Sequence, residues 1–246
     1  MQVDEVVTPG GRRVAAWLPE GSGLPGLERR SAKFVEGLAR VGDVLDADGA
    51  LPRATKLLFA AAVCAVKRDV ELVGHHVAAA AAAGLPREHA EGAVVGLLIS
   101  RGVEPHRLLA EAVERTYGPP GGEPGAPGDA DVPGAYAYFE SYFGFVPDYV
   151  ELLGERAGPA LEGYFLMRQA ALAETPLPPR DMELLLCAVN AGEYQARFVT
   201  IHARGARTAG ATEEQLVEAA LTAMPFAGVA SWLPAAQGIL ESREPA

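Results

Sequence analysis

The residues of this sequence best equipped for chemistry are its histidines and the side chains spaced around them. Arg204 follows His202 by two residues, and Arg197 precedes it by five. An imidazole moves a proton near neutral pH, and a guanidinium holds a carboxylate or enolate in its planar fork. Together they suit decarboxylation or double-bond migration in an activated acid. Residues two apart on a helix do not share a face, so the target of Arg204 is expected in a neighbouring site, whereas Arg197 falls near the face of His202. Tyr194, Phe198, Phe226 and Trp232 offer apolar walls for a ring-shaped ligand. His75 and His76 point in different directions from a helix and have no spaced carboxylate, so no metal site is expected. Cys64 and Cys187 are the only cysteines and form no CxxC, which makes them candidates for small buried hydrophobes.

These residues must be held by a folded scaffold, and the composition allows one. With 246 residues, 49% of them hydrophobic, and a mean hydropathy of +0.10, the chain can bury one or two cores. A formal charge of -11 argues against nucleic acid or an anionic membrane as partner, because either needs a basic face. Partners are expected to be small molecules or further copies of the chain in a homo-oligomer. No apolar stretch is long enough to span a membrane and no leader-like segment opens the sequence, so a soluble cytoplasmic protein is expected.

Residues 1–26 are rich in Gly and Pro and read as an N-terminal arm, and 118–134 (GPPGGEPGAPGDADVPG) read as a linker. The segments on either side, 27–117 and 135–246, are alike. Leu51-Pro52 corresponds to Leu177-Pro178, His76 to His202, Ala83-Gly84 to Ala209-Gly210 and Gly102-Val103 to Gly228-Val229, all at a constant spacing of 126 residues. Such self-similarity predicts a tandem duplication. Both copies read as helices. Pro179 to Gly192 carries apolar residues at 182, 185, 186 and 189, an amphipathic helical pattern. A second helix is predicted from about Glu193 to Thr208 and a third from Thr212, with Gln215 completing a capping box. The first copy holds the corresponding helices at 52–66, 69–83 and 86–99. No strand is predicted.

The run PPRDMELLLCAVN, then HARGARTAGATEEQLVEA, then MPFAGVASWLPA resembles the carboxymuconolactone decarboxylase family, which also contains alkylhydroperoxidase D. The resemblance covers about residues 132–240, with YFGFVPDYVELL similar to the family's leading segment; the first copy joins it mainly through the repeat. It implies an all-α fold, a tandem pair of helical units imitating a dimer of single units, and oligomerisation.

The hydroperoxidase branch has a CxxC, a His three residues after the second Cys and a Glu nineteen residues before that His. Anchored on His202, the Glu position is filled by Glu183, but the cysteine positions hold Gln195 and Phe198, and Asp69 and Leu72 in the first copy. Peroxide reduction through a disulfide has no nucleophile there; Cys187, one turn after Glu183, would offer only a sulfenate cycle. The decarboxylase branch fits better, through His202-Ala203-Arg204, Gly210 and Phe226-Ala227-Gly228-Val229. It usually carries a Glu four residues before the His, where Phe198 stands here, so a muconolactone substrate is less secure than the chemistry. The resemblance thus implies a cofactor-independent lyase or isomerase with His202 as proton carrier and Glu183 as its orienter, and with Arg204, Arg197, Tyr194, Phe198, Phe226 and Trp232 as substrate-binding candidates. In the first copy Leu57 stands where Glu183 would, so that copy is expected to be structural. Two alternatives remain at this stage: a hydroperoxidase-like redox protein and a non-catalytic binding or scaffold protein.

Overall fold

The computed structural model describes residues 8–19, 22–121 and 125–243. Parts of the expected arm (1–7 and 20–21), linker (122–124) and second copy (244–246) lie outside the described residues. Among those described there is no strand. In chain order the helices are α1 (Pro9–Ala15), α2 (Leu24–Arg30), α3 (Ala32–Gly42), α4 (Arg53–Val66), α5 (Val70–Ala82), α6 (Arg87–Arg101), α7 (Val103–Tyr117), α8 (Val132–Phe143), α9 (Asp148–Arg156), α10 (Gly158–Leu172), α11 (Pro179–Gly192), α12 (Ala196–Thr208), α13 (Glu213–Leu221), α14 (Met224–Ala227) and α15 (Trp232–Glu241).

The helices fall into two compact units, one of residues 1–119 with 176–244, the other chiefly of residues 120–175. In the larger unit α4 and α11 form the centre. Every residue from Thr55 to Ala65 and from Asp181 to Gly192 is buried, and the two helices pack on each other. Around α4 lie α5, α6 and α7; around α11 lie α12, α13 and α15. Small residues permit this closeness: a Cβ on Gly192 would stand 3.1 Å from Val63 Cγ1, and one on Gly96 would stand 2.5 Å from Met182 Sδ. A buried lysine forms an ion pair across this core. Lys56, only 2% exposed, meets Glu218 at 3.2 Å, and that carboxylate also accepts the backbone N–H groups of Ala50 and Leu51 at 2.9 Å.

Two backbone features recur at the spacing of 126 residues. The turn from α4 to α5 places Arg68 at φ 63°, and the turn from α11 to α12 places Tyr194 at φ 62°. Left-handed backbone is rare for residues other than glycine, and these two lie 126 residues apart. Gly84 and Gly210, each just past a helix end, both have φ 89°, the left-handed ending for which glycine is suited. Thr212 and Gln215 make both bonds of the capping box that opens α13.

The Gly- and Pro-rich opening segment is ordered where it is described. Thr8 caps α1 and Pro9 begins it. Gly10 serves close approach, since a Cβ there would be 2.6 Å from Glu36 Oε2 on α3. Val14 and Trp17 are buried. The smaller unit comprises α8, α9 and α10, packed about its own core of Ala135, Phe139, Val150 and Leu161. Asp131 caps α8 through Gly134 N.

Candidate active site

Glu183 sits in the first half of α11, where its neighbours Met182, Leu184, Leu185 and Leu186 are fully or almost fully buried. A carboxylate in such surroundings needs a hydrogen-bonding partner. It finds one on α12: His202 Nδ1 lies 2.7 Å from Glu183 Oε2. The side chains are 14% and 7% exposed, respectively. With Nδ1–H donating to the carboxylate, Nε2 is left with its lone pair directed away from the pair. Gly205, one turn after His202, makes the arrangement possible. A Cβ at that position would stand 2.7 Å from both Cδ and Oε1 of Glu183. Sequence reasoning did not single out this residue, although a glycine inside a helix one turn from a functional histidine marks a close approach.

The remaining sequence candidates are dispersed. Arg204 is partly buried, with Nη2 3.5 Å from the Glu241 carbonyl and a buried Nε lacking a hydrogen-bond partner. Arg197 and Phe198 are exposed, and Trp232 opens α15 half-buried. Tyr194 is exposed; its hydroxyl donates to the Ala227 carbonyl and its ring lies under Lys67 Nζ at 4.8 Å. Glu193, a conceivable partner for the arginines of α12, pairs instead with Arg101. Phe226 is engaged elsewhere: its ring packs edge-on against His76 at 4.9 Å and against Trp17 at 5.8 Å. Its backbone position in the sequence suggested the His202 region; its side chain instead turns to the first copy. Two shallow surface depressions, one lined by Glu111, Glu114, Arg115 and Pro119, the other by Pro178, Pro179, Arg180 and Ala209, include neither His202 nor Glu183.

The cysteines are poorly placed for redox work. Burial, and then the charge of Glu183, pushes the Cys187 thiol well above its ordinary pKa. Burial, and then Asp69, does the same to Cys64. A thiol held protonated is neither a nucleophile nor readily oxidised. Among the described residues no cluster of His, Cys, Asp and Glu could hold a metal ion, and no helix is long and apolar enough to cross a membrane.

The geometry can therefore hold and move one proton at His202 Nε2, with Glu183 fixing the orientation of the ring. No curated protein is significantly similar in sequence. The chain is similar over 96% of its length, and 97% of the other's, to the crystal structure of a proposed gamma-carboxymuconolactone decarboxylase subunit from Burkholderia xenovorans LB400, with a TM-score of 0.64 and 22% identity. That likeness shows a shared all-α fold. Residues 159–241, which contain both Glu183 and His202, match the model of the carboxymuconolactone decarboxylase family.

Proposed function

We propose that the chain is a cofactor-independent lyase or isomerase of the carboxymuconolactone decarboxylase type, acting on a small carboxylated, lactone or polyketide-like ring. The observation that carries this proposal is the 2.7 Å bond from His202 Nδ1 to a buried Glu183, on a histidine that retains some exposure. In decarboxylation, the carbon–carboxylate bond breaks, its electron pair passes into the conjugated carbonyl system and CO2 leaves. The imidazolium of His202 then delivers its Nε2 proton to carbon and is recharged from solvent. In isomerisation, neutral Nε2 removes a proton from one carbon and returns it to another. Glu183 holds the ring in place through Nδ1 in either case. Positioned acid–base groups of this kind contribute about 10²- to 10⁴-fold in rate.

The repeat has a place in this proposal. The recurring φ angles at a spacing of 126 residues support a duplicated unit, with the second copy catalytic and the first a scaffold against which it packs. The buried, protonated thiols give no support to a redox alternative. The test offers γ-carboxymuconolactone and a panel of small carboxylated lactones in D2O, following CO2 release and deuterium incorporation. Turnover by the wild type that collapses in His202→Ala, at an unchanged melting temperature, is the expected outcome. Turnover undiminished by that change, or no turnover of any compound by folded protein, would sink the proposal.

A further inference from the structure

A second group of residues with chemical potential lies wholly within the smaller unit. Arg168 on α10 is only 7% exposed and its guanidinium is enclosed by aromatic rings. Its guanidinium carbon lies 4.6 Å from the ring centre of Tyr142, 5.5 Å from Phe139, 5.8 Å from Tyr138, 5.9 Å from Phe143 and 6.0 Å from Tyr164. Nε donates to the Tyr138 hydroxyl at 3.4 Å. Nη2 is buried without a hydrogen-bond partner, and among the described residues no carboxylate forms an ion pair with Arg168.

Burying a cation costs several kcal/mol unless an anion and hydrogen bonds compensate; the five ring faces, at about 0.5–2 kcal/mol each, offset much of that but leave Nη2 without an acceptor. The fold does not itself require a charge at this position. In the first copy, 126 residues earlier, the equivalent of Arg168 is Gly42 and that of Phe143 is Trp17, whose indole lies so close that a Cβ on Gly42 would be 2.6 Å from its Nε1. The indole of Trp17, from the opening segment, thus fills the space beside Gly42, where at the corresponding position 168 stands a guanidinium without a carboxylate partner.

We propose that Arg168 and the rings of α8 and α10 bind a small carboxylate carried on a flat unsaturated or aromatic body. The planar fork matches the two carboxylate oxygens, tyrosine hydroxyls are available chemistry for hydrogen bonds to them, and the rings fit a flat carbon skeleton. This inference stands independently of the role proposed for His202.

The full chain is titrated with benzoate and, separately, with inorganic phosphate at constant ionic strength, by calorimetry and by NMR of its arginine side chains. Benzoate is expected to bind more tightly than phosphate and to shift the Arg168 Nε–H resonance. Arg168→Gln should weaken benzoate roughly tenfold or more, as loss of a charged hydrogen bond does. Arg168→Lys should fall between. If Arg168→Gln does not fold, the wild-type resonance decides. Absence of benzoate binding at millimolar concentration, equal binding by Arg168→Gln, a stationary Arg168 resonance or a preference for phosphate would each overturn the proposal.

Discussion

His76 and His202 stand 126 residues apart, at positions that the proposed repeat makes equivalent, and have opposite fates. His202 faces a carboxylate, and Gly205 leaves room for it. At the corresponding positions of the first copy stand Leu57 and Ala79. His76 is fully buried, neither of its ring nitrogens has a hydrogen-bond partner, and Phe226 and His75 pack against its faces and edges. Burial, and then the charge of His75, lowers its pKa to about 3. The same side chain on the same scaffold is thus a neutral packing element in one copy and a partnered, partly open imidazole in the other. What fits a histidine to carry a proton in this proposal is its partner and its opening rather than its position in the fold.

That contrast can be broken deliberately. Glu183→Leu, which copies the first-copy residue into the second, should lower turnover about 10²-fold with the helical circular dichroism retained, because the His202 ring loses its orienting acceptor. Glu218→Ala should be the most destabilising change outside the candidate site. It leaves Lys56 buried and unpaired, and a loss of about 3 kcal/mol is expected in denaturant unfolding. Gly205→Ala drives a Cβ into the Glu183 carboxylate and should cost about 1–3 kcal/mol while also lowering turnover; Ala79→Gly, the reverse change in the first copy, should leave turnover intact.

The pH dependence of stability sharpens the other half of the contrast. His76 has a folded pKa of about 3 against an unfolded value near 6.5. The unfolded chain therefore binds a proton that the folded chain refuses, and stability present above about pH 6.5 is lost as pH falls towards 3. At pH 5 this amounts to about 2 kcal/mol. His76→Leu should flatten that fall between pH 7 and pH 5, measured by urea unfolding at each pH, and leave catalysis in place.

The elements that follow local rules were legible in the sequence. The amphipathic period of 179–192, the capping box at Thr212 and the Gly at 210 all recur as helix and helix ends in the structure. The first turn of α12 was expected two or three residues too early, because Tyr194 takes a left-handed backbone that no residue type announces. The pairing of Glu183 with His202 was anticipated only from the spacing that the resemblance implies. Features that depend on packing between distant segments were not legible. Phe226 lies near His202 in sequence but against His76 and Trp17 in space. Glycines taken for a loose arm include one that lets α1 lie against α3. Arg168 went unremarked because its cage is assembled from two helices. An aromatic pattern at 138, 139, 142 and 143, facing an arginine four residues after Tyr164, was the available signal.

The central claim is that only the second copy carries a working proton relay, and paired turnover measurements test it most directly. Purified His202→Ala and His76→Leu are compared with the wild type for CO2 release from γ-carboxymuconolactone or whichever panel lactone the wild type converts. The account predicts a loss of about 10²-fold or more for His202→Ala and wild-type turnover for His76→Leu at neutral pH. Retained turnover in His202→Ala together with its loss in folded His76→Leu would contradict it.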